Sequence, residues 1–204
     1  MYFIKAPALL KRLFHPDFIW KKDSGDTVYL SFDDGPHPVA TPFVLDELEK
    51  YNAKATFFCI GKNVAEHPAI FHKIKNAGHA TGNHTHTHVN GWKVSTGDYL
   101  KNFRDAEQFI ESNLFRPPYG KIKPNQAREI QSLGYKIIMW DVLCGDFDTQ
   151  ISPEKCWENI ALNIEPGSVI VFHDSSKAWD RLQYALPRTL AFCHQKGWKM
   201  DVLT

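Results

Sequence analysis

Apolar residues recur along this chain in two alternating rhythms. Short apolar or β-branched runs mark strand candidates at Thr27–Phe32, Ala55–Ile60, His79–Asn83, Tyr135–Val142, Ser168–His173 and Trp198–Leu203, with a weaker one near Phe115. Between them, apolar residues fall at helical spacing. Phe43, Val44, Leu48 and Tyr51 share one face, as do Tyr99, Phe103, Ala106 and Ile110 behind a cap at Ser95 or Thr96. Trp157, Ile160, Ala161 and Ile164 follow Pro153, and Leu182, Ala185, Leu186, Thr189 and Cys193 make a last amphipathic stretch. These are 3.6-residue periods. Gly78, Gly134 and Gly197 stand where such helices would stop. Strand followed by helix, repeated along the chain, implies a parallel sheet. In one domain of this length the sheet is either doubly wound or a β/α barrel. Both place their chemistry at the carboxyl ends of strands.

Composition narrows the function classes. The 204 residues suit a single domain, and 43% hydrophobic with 23% charged residues is ordinary globular usage. A formal charge of +1, without a lysine-arginine run, gives no footprint for nucleic acid or an anionic membrane. Cys59, Cys144, Cys156 and Cys193 form no C-x-x-C pair, so they read as reduced, mostly buried thiols. Residues 1–14 mix apolar residues with Lys5, Lys11 and Arg12, and no apolar run precedes a small-residue cleavage site. No run approaches a membrane span, so the expected address is the cytoplasm.

The predicted strand ends carry the chemistry. Strand one runs into Asp33-Asp34-Gly35-Pro36. Adjacent carboxylates are costly unless a cation or a proton separates their roles, although Asp-Gly is also an ordinary turn signal. The third strand runs into His84-Thr85-His86-Thr87-His88. Two imidazoles and a carboxylate suit zinc and leave a position for water. A helical turn or tight loop would bring His84 and His88 together, whereas an extended run would put all three histidines on one face. The stretch near Phe115 continues into Arg116-Pro117-Pro118-Tyr119-Gly120, a rigid turn in its plainest reading. The Tyr135 strand leads to Asp146, and the Ser168 strand ends at His173-Asp174, where Asp174 suits an N-cap.

In this order, these residues resemble the polysaccharide deacetylase family (the NodB-homology domain, carbohydrate esterase family 4). The matching motifs are Ser-Phe-Asp-Asp-Gly at 31–35, His-Thr-His-Thr-His at 84–88, Arg-Pro-Pro-Tyr-Gly at 116–120 and Val-Phe-His at 171–173, within a resemblance covering about residues 27–203. The resemblance implies an α/β fold, a distorted (β/α) barrel of about seven parallel strands in a single domain. Residues 27–204 would form the deacetylase domain, with 1–26 an N-terminal extension packing on the barrel. It also implies roles. Asp34, His84 and His88 would hold a divalent metal, expected to be zinc, with cobalt, manganese or nickel as alternatives. Asp33 would be the general base, paired with Arg116. Tyr119 would offer a backbone N–H to the oxyanion, and His173 would be the general acid. His86 falls at a variable position.

One motif departs from the family. Where the family has Asp-x-x-Asp-Trp, this chain has Leu143-Cys144-Gly145-Asp146-Phe147. Asp146 keeps the second acid, while Leu143 and Phe147 replace the first acid and the tryptophan. Val171 stands where leucine is usual. The expected activity is removal of N-acetyl groups from an N-acetylated sugar or polysaccharide of the N-acetylglucosamine type. Trp92, Trp140, Phe147 and Trp179 are candidates to stack on a sugar or to fill the core. The rival readings are hydrolysis of a non-sugar amide on the same site, and a weakly catalytic carbohydrate-binding protein.

Overall fold

Strand β1 (Thr27–Asp33) is the centre of the sheet, and every residue after Thr27 is buried. Its alternation serves two interiors. Val28, Leu30 and Phe32 join the core that faces the helices, and Tyr29 joins a smaller cluster with Phe58, Leu114, Ile138 and Val169 on the opposite face. Period two therefore carries Ser31 and Asp33 to the Tyr29 face, inside the curl of the sheet.

The structure is a computed structural model that describes residues 3–7, 17–23 and 25–204. β1 pairs in parallel with β2 (Ala55–Cys59) on one side and β7 (Val169–His173) on the other. Beyond β2 lie β3 (Ala80–Asn83), β4 (Leu114–Phe115) and β5 (Lys136–Ile137), and beyond β7 lies β6 (Val142–Leu143). A short β8 (Lys199–Met200) pairs with the start of β1. The main path holds the expected seven strands, all parallel, in the order β5-β4-β3-β2-β1-β7-β6.

The predicted Tyr135–Val142 strand needs correction: it is divided between β5 and β6, at opposite ends of that order. Ile138 N–H donates to Phe115 O at 2.8 Å, and Asp141 N–H donates to Val169 O at 2.9 Å. The run thus leaves one edge of the sheet and arrives at the other, bridging the two ends of the strand order. Described N-terminal residues line this seam. Met139 N–H donates to Ile19 O at 2.7 Å, Lys22 N–H to Gly167 O at 3.0 Å, and Leu143 N–H to Ile4 O at 2.7 Å. The predicted Trp198–Leu203 strand is likewise shorter, reduced to β8.

Seven helices are described: α1 (Ala40–Glu49), α2 (Gly61–Glu66), α3 (Pro68–Asn76), α4 (Thr96–Glu107), α5 (Pro124–Ser132), α6 (Pro153–Ala161) and α7 (Trp179–Gln195). Ser95 caps α4, its hydroxyl accepting the Asp98 N–H at 3.1 Å, and Ser152 caps α6 in the same way. Periodicity did not find α2, α3 or α5. Pro68 splits the first two, and α5 buries only Gln126, Ala127 and Ile130, too few apolar positions for a clear stripe. All four cysteines are free and buried. Trp179 is half-buried and packs edge-on against Phe43 at 5.3 Å, against the outside of the core.

Gly82 shows how closely the sheet interior is packed beneath the strand ends. A Cβ there would lie 2.5 Å from the Phe58 ring. Gly82→Ala is expected to cost about 1–3 kcal/mol of stability through overpacking, measured as a lower denaturant midpoint at an unchanged slope.

Candidate active site

The two acids at the tip of β1 diverge because the backbone changes hand between them. Asp33 ends the strand, and Asp34 has φ 82. An L-residue rarely adopts that conformation without support. Here Asn63 Nδ2 donates to Asp34 O at 2.7 Å, and Ile60 N–H donates to Gly35 O at 2.9 Å.

The histidine run after β3 is a tight loop, which decides between its two readings. Thr85 and His88 have φ of 63 and 57. Asn83 Oδ1 accepts the Thr85 N–H at 2.7 Å, and Asn102 Oδ1 accepts the N–H groups of His86 and Thr87. The coil brings His84 and His88 together, with ring centroids 5.0 Å apart, and sends His86 away to stack on Phe109.

Asp34 meets this pair. Its Oδ1 lies 3.2 Å from His88 Nε2 and 3.7 Å from His84 Nε2. His84 Nδ1 is 2.7 Å from Arg116 O. A carbonyl only accepts, so that nitrogen carries the proton and Nε2 turns a lone pair to the site. Burial holds His84 below the ordinary imidazole value; burial and then the neighbouring His84 take His88 down to about 4. Both rings are therefore neutral at neutral pH, the form that binds metals. One ligand atom from each of the three residues lies within 4.8 Å of the others. Asp34 Oδ1 is buried with no hydrogen-bond partner among the described residues. A buried anionic oxygen without a donor is costly, and a cation resolves it. These residues fit a divalent metal.

Asp33 has a different partner. Arg116 Nη1 donates to Asp33 Oδ1 at 2.6 Å and to Ser31 Oγ at 2.8 Å. The rest of the guanidinium donates to the carbonyls of Ile138 at 3.2 Å and Met139 at 2.9 Å, and its carbon lies 4.0 Å from the centre of the Phe58 ring. Burial opposes ionisation of Asp33, but Arg116, His84 and His173 together hold its carboxyl below the ordinary value.

His173 ends β7 in register with Asp33 on β1. Asp146 Oδ1 lies 2.8 Å from His173 Nδ1, and Asp146 Oδ2 accepts the His173 backbone N–H at 2.8 Å. Arg181 Nε donates to Asp146 O at 2.7 Å, and Phe147 packs edge-on to the imidazole at 5.2 Å. Burial works against the charged imidazole, but the Asp146 carboxylate outweighs it. With Asp34 and Asp33 adding to the pull, the ring is raised to about 9.

At the rim, Tyr119 sits in a left-handed turn with φ 60, and its solvent-exposed ring packs 4.5 Å from His88. Trp92 is exposed with Lys121 over its face, while Trp140 packs near Trp20 at 6.2 Å. Two supporting residues escaped the sequence reading. Ser31 links Arg116 to Ile170 O, and strand alternation with Asp33 is the signal that reveals it. Asp174, expected as an N-cap, instead accepts the Gly35 N–H at 3.0 Å and the Thr41 hydroxyl. Helix α7 begins only after Ala178, beyond its reach.

The sequence profile of the polysaccharide deacetylase family matches residues 21–138. A peptidoglycan-N-acetylglucosamine deacetylase of Bacillus cereus is 37% identical over 154 residues, 72% of this chain and 56% of that protein. The match thus spans little more than half of that relative. A chitooligosaccharide deacetylase of Azorhizobium caulinodans is 33% identical, over 72% of this chain and 73% of its own. A crystal structure of a peptidoglycan N-acetylglucosamine deacetylase superposes with a TM-score of 0.86 at 31% identity, covering 92% of this chain and 91% of the other. The chain belongs to the polysaccharide deacetylase family.

Proposed function

We propose that this protein is a metal-dependent hydrolase that removes N-acetyl groups from an N-acetylated sugar or polysaccharide of the N-acetylglucosamine type. The observation that carries this reading is the division of the two acids: Asp34 Oδ1 is buried without a donor beside two neutral histidines, while Asp33 is held by Arg116. The named activities of the relatives support the same chemistry.

Asp34, His84 and His88 are the proposed ligands. A divalent cation bound there lowers the pKa of water towards about 7 and polarises an amide carbonyl. We propose zinc, with cobalt, manganese and nickel as alternatives to be separated by elemental analysis. Asp33, kept ionised by Arg116, takes the proton of a water that attacks the acetyl carbon. The Tyr119 backbone N–H faces the developing oxyanion, a contribution of about 3 kcal/mol for one donor. His173 Nδ1 donates to Asp146, and because that carboxylate also keeps the imidazole charged, Nε2 carries a proton as well. It hands that proton to the departing amine, and acetate leaves. Leu143, in place of the family acid, allows a second reading in which the same site cleaves a non-sugar amide. A panel of N-acetylated sugars and simple amides separates the two.

Residues 27–204 are the proposed catalytic unit, with 1–26 as an N-terminal extension packing on the barrel, of which 1–2, 8–16 and 24 lie outside the described residues. Among the described residues, no helix is long and apolar enough to cross a membrane. A cytoplasmic address is a further proposal, tested by cell fractionation.

Acetate release from N-acetylglucosamine oligomers is expected, lost with a chelator and restored by zinc. Asp33→Asn is expected to lower kcat by about 10²–10⁴ while metal binding persists. Absence of acetate from every N-acetylated sugar, with metal bound, would sink the sugar assignment. His88→Ala is expected to lose the metal and His86→Ala to keep it, read by metal content after dialysis. The pH profile follows from the directions of the shifts. Asp33, lowered, is already ionised at mildly acid pH. His173, raised to about 9, stays protonated until that pH and loses its proton above it. Activity should therefore fall on the alkaline side near pH 9. Asp146→Asn should move that limb down towards the ordinary imidazole value of about 6.5.

A further inference from the structure

Asp174 brackets the residue whose backbone is most unusual at the site. Its own N–H donates to Asp33 O at 3.1 Å, on the chain before Asp34. Its carboxylate Oδ1 accepts the Gly35 N–H at 3.0 Å, on the chain after Asp34. The peptide between Asp34 and Gly35 is thus gripped at both polar ends: Asn63 donates to its carbonyl at 2.7 Å, and Asp174 accepts from its N–H. Oδ2 accepts the Thr41 hydroxyl, and Thr41 Oγ1 accepts the His37 N–H at 2.7 Å, so the loop from Gly35 to Thr41 hangs on one carboxylate. Asp174 and Thr41 are fully buried, so no water replaces these bonds. The space is also fitted to the carboxylate. A Cβ on Gly35 would lie 2.1 Å from Asp174 Oδ2.

Asp34 has φ 82, which a residue with a Cβ holds only when its surroundings over-determine it. Its side chain must also point Oδ1 at His84 and His88. We infer that Asp174 is a positioning residue that fixes the Asp34 backbone in its metal-binding conformation, and so sets the affinity of the site for a divalent cation without touching it. This rests on the proposed metal site. Supporting side chains that orient ligands typically contribute about 10–100-fold in metal affinity when removed.

The test is zinc affinity of the folded protein, measured by competition with a fluorescent chelator, alongside the thermal midpoint. Asp174→Ala is expected to weaken zinc binding by about 10–100-fold. Asp174→Asn should recover most of it, because its amide oxygen still accepts the Gly35 N–H and its amide nitrogen can donate to Thr41. A residue with only a structural role would lower the thermal midpoint and leave the affinity of the folded protein unchanged. Zinc affinity in Asp174→Ala equal to wild type, or no recovery in Asp174→Asn, would overturn the inference. If Asp174→Ala fails to fold, Thr41→Val carries the test: several-fold weaker zinc binding is expected, and unchanged binding overturns it. Failure of the metal site itself reads differently, as a wild-type protein that binds no divalent cation at all.

Discussion

The ion pair between Arg116 and Asp33 is the constraint on which the rest of the site depends. Arg116 is the largest fully buried side chain among the described residues. Removing a guanidinium and a carboxylate from water costs several kcal/mol per ion, offset only when the charges pair and the remaining N–H groups find acceptors. Here the acceptors come from two separate parts of the barrel. Asp33 and Ser31 lie on β1, and the Ile138 and Met139 carbonyls lie on the run that crosses from β5 to β6. The guanidinium therefore ties the central strand to the closing segment, over the face of Phe58.

The same residue organises the proposed metal side. The Arg116 carbonyl meets His84 Nδ1, which fixes the tautomer and turns Nε2 towards Asp34. Its side chain thus sets the charge of the proposed base, while its backbone sets the lone pair of a proposed ligand. Asp33 and Asp34 are neighbours in sequence, yet one faces a cation supplied by the protein and the other faces two neutral imidazoles. On the far side, β7 places His173 in register with Asp33, and Asp146 gives its ring a charge that burial alone would deny. Asp33 and His173 end neighbouring strands, so parallel pairing of β1 with β7 delivers them at one level, while Asp34, His84 and His88 follow in the loops after β1 and β3.

Much of this was legible in the residues. The alternation of apolar runs and helical periods revealed the parallel sheet, and Asp33, Asp34, His84, His88, Arg116 and His173 stood at predicted strand ends. What escaped has physical reasons. The split of Tyr135–Val142 depends on where the two edges of the sheet lie, which period-two patterning does not encode. Helices α2, α3 and α5 are short and sparsely apolar. The loop that separates His86 from its neighbours rests on positive φ at Thr85 and His88, a conformation that glycine signals and that Thr and His do not. Asp174 looked like a helix cap because its partners, Gly35 and Thr41, are remote in sequence. The eroded motif is clearer in three dimensions. Asp146 and Phe147 still contact His173, while Leu143 is buried in β6 and the guanidinium is satisfied by carbonyls and Ser31.

The central claim is that the adjacent acids have separate partners, Asp34 a metal and Asp33 the Arg116 guanidinium. Crystals of the protein soaked with zinc, with diffraction data collected at the zinc absorption edge, test it most directly. A single anomalous peak is predicted at about 2.0–2.2 Å from one oxygen of Asp34 and from the Nε2 atoms of His84 and His88, with Asp33 still bonded to Arg116. A peak coordinated by Asp33, or by His86 in place of His88, would contradict it.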